Sequence, residues 1–271
     1  MNAQTIVVSD TLSGWDQTWI ANFNAAQASF NNWSEGGVNT VSGTASTVYT
    51  KFYRNDRFSY GFRTNLRYGQ SKINGQELRK TDDLISIRNR VTYDLSEGSI
   101  YSAYGAIQFR TQFADGYEYG KASDGGDSLI SAWFAPAYLT EGIGIEVTPN
   151  ENIAFEAGLA LKQTFVSDDA LAPVYGLDQG ENIRSEGGLT LGASYQRKVM
   201  ENVQFYTSLE TFTNFLIPVS ETDVFWSNEI TGQINSIISA LFQFELRYDN
   251  DFSSDVQLKQ VFSAGITVNL Y

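Results

Sequence analysis

The 271-residue chain has no histidine, no cysteine, four prolines and two methionines. Each shortage closes off some chemistry. Without histidine there is no Ser–His or Asp–His hydrolytic pair and no imidazole-ligated metal centre. Without cysteine there is no disulfide framework and no thiolate metal site. Proline is scarce, as it must be where strand ladders need their N–H groups. No run approaches the ~18 apolar residues of a membrane-spanning helix. Mean hydropathy is −0.25, which argues against helical membrane proteins only. Met1-Asn2-Ala3-Gln4 has neither a basic start nor an apolar core, so the chain reads as a mature form.

What is present is glycine and aromatic residues, with 18 Phe, 15 Tyr and 5 Trp. The clearest stretch is Phe58 to Gly69. Phe58, Tyr60, Phe62, Leu66 and Tyr68 share one parity; Ser59, Gly61, Arg63, Asn65 and Arg67 share the other. Strand side chains alternate between faces, so one face is large and apolar and the other polar and cationic. The same alternation recurs through most of the chain. A soluble β-protein would turn the apolar face into a core, whereas a transmembrane barrel would turn it outward to lipid.

Connection length separates the two. Short polar breaks fall near residues 54–56, 96–99, 149–152, 197–202 and 235–237. Long ones fall near 31–37, 71–83, 114–128, 167–184, 216–223 and 249–256. This alternation holds if Leu129–Val147 is one strand, despite the missing N–H of Pro136. The expectation is an all-β fold: a single closed up-and-down transmembrane β-barrel of about twelve antiparallel strands, with short periplasmic turns and long outer loops. It spans residues 1–271, with 1–14 a short periplasmic N-terminal segment and both termini periplasmic in a Gram-negative outer membrane.

Three further stretches add a resemblance. They are Asn32-Trp33 with Gly36-Gly37, Phe109-Arg110-Thr111-Gln112-Phe113, and Pro136-Ala137-Tyr138-Leu139-Thr140 running into Gly142-Ile143-Gly144. With the ending from Gly265 to Tyr271, they resemble an uncharacterised family of outer-membrane β-barrels from Bacteroidota, filed under a domain of unknown function. The resemblance implies fold and location and supplies no activity. Tyr271 departs from the usual barrel ending, because it shares parity with Asn269, Thr267 and Gly265. Either a bulge lies near the terminus or Tyr271 hangs at the rim. Barrel phospholipases, lipid A deacylases and omptin-type proteases resemble one another in needing a histidine, which this chain lacks.

Strand-end aromatics Tyr53, Phe58, Tyr93, Tyr101, Phe113, Tyr195, Tyr248 and Tyr271 would form interfacial girdles. The outer connections carry most of the net charge of −13. They are either a solvated face or a site for divalent cations shared with lipopolysaccharide, and this acidity argues against nucleic acid as a partner. On the inward parity, Arg63, Arg67, Arg88, Arg90 and Arg110 lie on the third to fifth expected strands. Glu156, Glu186, Glu210, Glu229 and Glu245 lie on the seventh to eleventh. These ten are the expected lumen-lining residues, an Arg wall facing a Glu wall. The lumen is then either wet, giving a narrow passive pore for small polar solutes, or cross-bridged. The cross-bridged form would be a closed structural or accessory barrel acting through outer-membrane protein partners. No spacing marks a paired-carboxylate catalytic site, so no enzyme activity, catalytic residue, cofactor or metal is expected.

Overall fold

The computed structural model describes residues 6–30, 38–251 and 253–271. The break at 31–37, with its Asn32-Trp33 and Gly36-Gly37, lies outside them. Fourteen strands form among the described residues: β1 (Gly14–Ala28), β2 (Thr40–Asn55), β3 (Phe58–Ile73), β4 (Arg79–Asp94), β5 (Tyr101–Thr111), β6 (Gly116–Glu118), β7 (Ser128–Ser131), β8 (Ala137–Asn150), β9 (Ile153–Phe165), β10 (Ile183–Met200), β11 (Val203–Asn214), β12 (Asp223–Gln233), β13 (Ile238–Asp249) and β14 (Ser253–Asn269). Twelve close into one antiparallel barrel, with β5 followed directly by β8 and β14 returning to β1. β6 and β7 pair only with each other.

The alternation read in Phe58–Gly69 sets which side faces out. Ile107, Ile143, Leu159, Leu191, Leu209, Ile230 and Phe262 are exposed on the outer surface, while Asn65, Ser86, Arg88, Arg90, Ser208, Ser227 and Gln243 are buried inside. This is a soluble protein turned inside out, and an apolar belt on a closed barrel is what lipid selects. Near the short turns the belt is edged by aromatics. Trp15 and Tyr53 stack at 4.8 Å, Tyr53 and Phe58 lie 6.4 Å apart, and the Arg57 guanidinium covers Tyr93 at 4.6 Å.

Three details differ from the expectation. Leu129–Val147 is not one strand. Its first part is β7, in the loop hairpin, and the barrel strand starts at Ala137, because Pro136 has no N–H to give to a ladder. The strand count survives since the first part joins no barrel neighbour. The register also pairs Tyr138 with the inward Arg110, so Tyr138 faces the lumen rather than the apolar side.

The long connections at 71–83 and 249–256 are largely strand. β3 and β4 pair as far as Ser71↔Arg79, and β13 and β14 as far as Asp249↔Ser253. What alternates is how far each hairpin extends past the apolar belt. At the end of the chain, Val268 pairs with Ala21 on the outer parity and β14 stops at Asn269. Tyr271 is 74% exposed, and its carbonyl accepts from the Trp19 N–H at 3.3 Å, so it hangs at the rim. β1 and β14 are in register only from Ile20↔Asn269 to Asn24↔Gly265, whereas β1 and β2 pair from Gly14↔Arg54 to Ala28↔Thr40.

Candidate functional site: the barrel lumen

The lumen is built from the inward parity of all twelve strands, and its charges form three tiers. At the turn end, Arg54 meets Asp94 at 2.5 Å and Asp10 at 3.1 Å, and Ser102 donates to Asp94 at 2.8 Å. In the middle, Arg90 on β4 donates to Glu146 on β8 at 2.7 Å and to Glu156 on β9 at 2.8 Å. Arg88 reaches across the lumen to Glu210 on β11 at 3.5 Å. Arg63 lies beside Arg88 in register and within Coulomb range of Glu229, which accepts from Thr231 at 3.3 Å.

The loop-end tier is the most crowded. Arg67 holds Asp82 at 2.6 Å and donates to Gln243 at 3.4 Å, and Gln243 donates to Glu245 at 2.7 Å. Lys259 also reaches Asp82, at 3.0 Å. Lys162 bridges Asp223 at 2.6 Å, Asp251 at 3.4 Å and Glu186 at 3.7 Å. Arg184 pairs with Glu186 at 3.0 Å and with Asp251, and Asn214 donates to Glu186 at 2.9 Å. Asp223, Asp249 and Asp251 bring carboxylates within 4.8 Å of one another, in the arrangement a divalent cation takes. Lys162 supplies the positive charge there instead. Arg110 lines the same end without an ion pair among the described residues.

Both ends of the lumen carry chain. Ile6 lies inside the barrel, 7% exposed, against β3. A Cβ on Gly61 would fall 2.1 Å from the Ile6 Cγ2, so only glycine admits it. Ile6, in the segment expected to be periplasmic, therefore lies within the barrel. At the other end the loop after β9 folds over the mouth around Val166, Leu171, Ala172, Tyr175 and Leu177, packed with Ala135. Tyr175 donates to the Ile130 carbonyl at 2.6 Å, and burial pushes its phenol well above the usual range. Between the two remains a cavity of about 150 Å³.

Residues 130–269, more than half of the chain, match the family described as Protein of unknown function, DUF481. The chain belongs to that family. Residues 25–117 match a second, described as Protein of unknown function (DUF3078). No curated protein matches the chain in sequence. Among solved structures, the barrel is similar to the translocator domain of the autotransporter NalP from Neisseria meningitidis. The identity is 13% and the TM-score 0.44, over 96% of this chain and 89% of that one. It is similar also to an outer membrane channel from Pseudomonas putida F1, at 12% identity and TM-score 0.43, over 97% and 98%. A third is the β domain of the Bordetella autotransporter BrkA, at 12% and 0.38, over 94% and 99%. These are likenesses of general form, and no role for a residue comes from them.

In this DUF481 member the acids and bases interleave instead of forming two walls. Asp82 and Asp94 stand among the arginines of β3 to β5, and Lys162, Arg184, Arg247 and Lys259 stand among the glutamates of β9 to β14. Glu146, Lys162, Asp223 and Tyr104 matter to the geometry and were not among the expected site residues. Glu146 becomes legible once β8 is read from Ala137, because Tyr138, Thr140, Gly142, Gly144 and Glu146 then share the inward parity. Tyr104 had a weaker signal, an aromatic on the inward side of β5. Its ring lies 3.9 Å under the Arg90 guanidinium, with a ring edge close to Gly144 and the hydroxyl close to Gly158. A Cβ at Gly144 would meet the Tyr104 ring at 2.9 Å and the Ala157 carbonyl at 2.3 Å.

Proposed function

We propose that the protein is a non-enzymatic outer-membrane β-barrel of a Gram-negative bacterium, of the Bacteroidota type, that passes small polar solutes through a narrow lumen. The form described here is its closed state. The observation that carries this reading is the polar, charged interior with a residual cavity inside an apolar outer belt. Desolvating this many charges is costly, and a lumen that admits water lowers that cost. Ile6 at one end and the Tyr175 loop at the other are then the closing elements. Outer-membrane lipid surrounds the belt, and the acidic loops meet lipopolysaccharide and its divalent cations. Both termini are periplasmic on this reading. A tag at Asn150 would then be hidden from antibody on intact cells, and a reachable tag would reverse the topology.

A second reading is favoured by the ion pair that crosses the lumen, Arg88 on β4 to Glu210 on β11. It braces facing walls, as a closed structural barrel acting through outer-membrane partner proteins requires. Planar-bilayer recording of the purified barrel decides. A pore gives small steps that grow when residues 1–10 are removed. Silence from both proteins overturns the pore and leaves the structural barrel.

A further inference from the structure

Inward cations of the barrel strands follow one rule, with few exceptions. Arg54, Arg67, Arg88, Arg90, Lys162, Arg184 and Lys259 each hold a carboxylate within 4 Å. Arg79, at the loop-end rim, covers the Tyr119 ring instead. Among the described residues Arg63, Arg110 and Arg247 hold no carboxylate. Arg63 stays within Coulomb range of Glu229. Arg110 and Arg247 come from opposite walls, β5 and β13, and lie within Coulomb range of each other, a stronger influence on Arg110 than the acid nearest to it in that range, Glu245. Two guanidinium groups that share one cavity inside a protein repel, and partial burial strips each of part of its water. The seven ion-paired cations of this lumen offset that cost by taking an acid as neighbour.

Both arginines line the 150 Å³ cavity. That space holds on the order of ten waters or one small organic molecule. Its remaining surface is mixed, and Glu156, Glu210, Asp223 and Asp249 line it as well as the cations. Tyr138 stands beside Arg110 in register, and Phe225 lies under the Arg247 guanidinium at 5.7 Å. Phe212 continues the apolar side. A guanidinium fork matches the two oxygens of a carboxylate, and paired forks converging from two walls match it better. The rings suit the body of such a molecule and would be wasted on a bare inorganic ion.

We propose that the cavity between Arg110 and Arg247 binds a small organic carboxylate, its anionic end between the two guanidinium groups and its apolar body against Phe225 and Phe212. This rests on the pore reading as the route of entry. The bound anion supplies the ion pair that neither arginine makes among the described residues.

The test uses the whole barrel refolded in detergent, with benzoate as probe and benzamide and inorganic phosphate as comparisons, followed by calorimetric titration. Benzoate is expected to bind, benzamide at least tenfold more weakly, and phosphate more weakly than benzoate. Arg110→Gln and Arg247→Gln should each weaken benzoate binding tenfold or more, and Arg63→Gln should leave it within twofold. Heat-modifiable migration on gels confirms that each variant folds. No benzoate binding to the wild-type barrel overturns the site, as does equal loss in Arg63→Gln. Phosphate binding as tightly as benzoate overturns the carboxylate class. The outcomes separate from those in bilayers: conductance without benzoate binding removes the site and leaves the pore, whereas binding without conductance removes the pore and leaves the site.

Discussion

Arg90 and Arg110 stand one strand apart on the same side of the lumen, with the same inward parity, and their surroundings are opposite. Arg90 holds two carboxylates and lies over a tyrosine ring. Arg110 lines a cavity together with Arg247 and makes no ion pair among the described residues. The first is a brace and the second is a vacancy for charge. Parity alone assigns them the same role; the difference comes from what the nearby and facing strands present at each height.

Three substitutions sharpen that contrast. The largest effect belongs to Arg90→Met. It strands Glu146 and Glu156 in a closed interior, so unfolding free energy in urea should fall by about 3–5 kcal/mol, as for other broken buried pairs. A loss under about 1 kcal/mol would mean that the middle tier is wet, and the contrast with Arg110 would vanish. Next comes Lys162→Met. Asp223 and Asp251 are partly open to solvent, so the loss should be smaller, about 2–3 kcal/mol. This variant removes the ammonium from three converging carboxylates. Millimolar calcium should therefore restore its stability while leaving the wild-type barrel unmoved, a gain that grows as RT ln(1 + [Ca²⁺]/Kd). Calcium indifference in the variant would show that the acids are too far apart to act together. The smallest effect belongs to Arg110→Gln. With no ion-pair partner among the described residues to strand and a repulsion relieved, stability should change by under about 1 kcal/mol, in either direction. A loss as large as that of Arg90→Met would reveal a partner for Arg110.

Much of the fold was legible in the chain because strand parity is local. Phe58–Gly69 declares its faces without reference to any other residue, and so does Ile153–Lys162. The strand count was legible for the same reason. The break at Pro136 was misread because a missing N–H weakens a ladder without saying where the chain goes next. The site was legible only as a set of inward charges. Which acid meets which base depends on stagger between strands far apart in the barrel, such as Arg88 on β4 and Glu210 on β11, and no local pattern encodes that height. Ile6 was missed because a short polar segment with a few apolar residues has no period to read.

The narrow seam between β1 and β14 has a meaning in time as well as in space. The other ladders of the barrel join strands that are neighbours in sequence, across a turn or one loop. The seam joins the two ends of the chain: Thr267 donates to Asn22 at 2.7 Å, across 245 residues. Closing a loop of that length costs about 3 kcal/mol more in chain entropy than closing a five-residue turn. Its reward is a short ladder from Ile20 to Asn24 on β1, extended at one end by the backbone bonds of Trp19 to Leu270 and Tyr271. Topology therefore sets an order of assembly, hairpins first and the ring last. Removing either terminal strand yields a curved sheet with two bare edges rather than a smaller barrel.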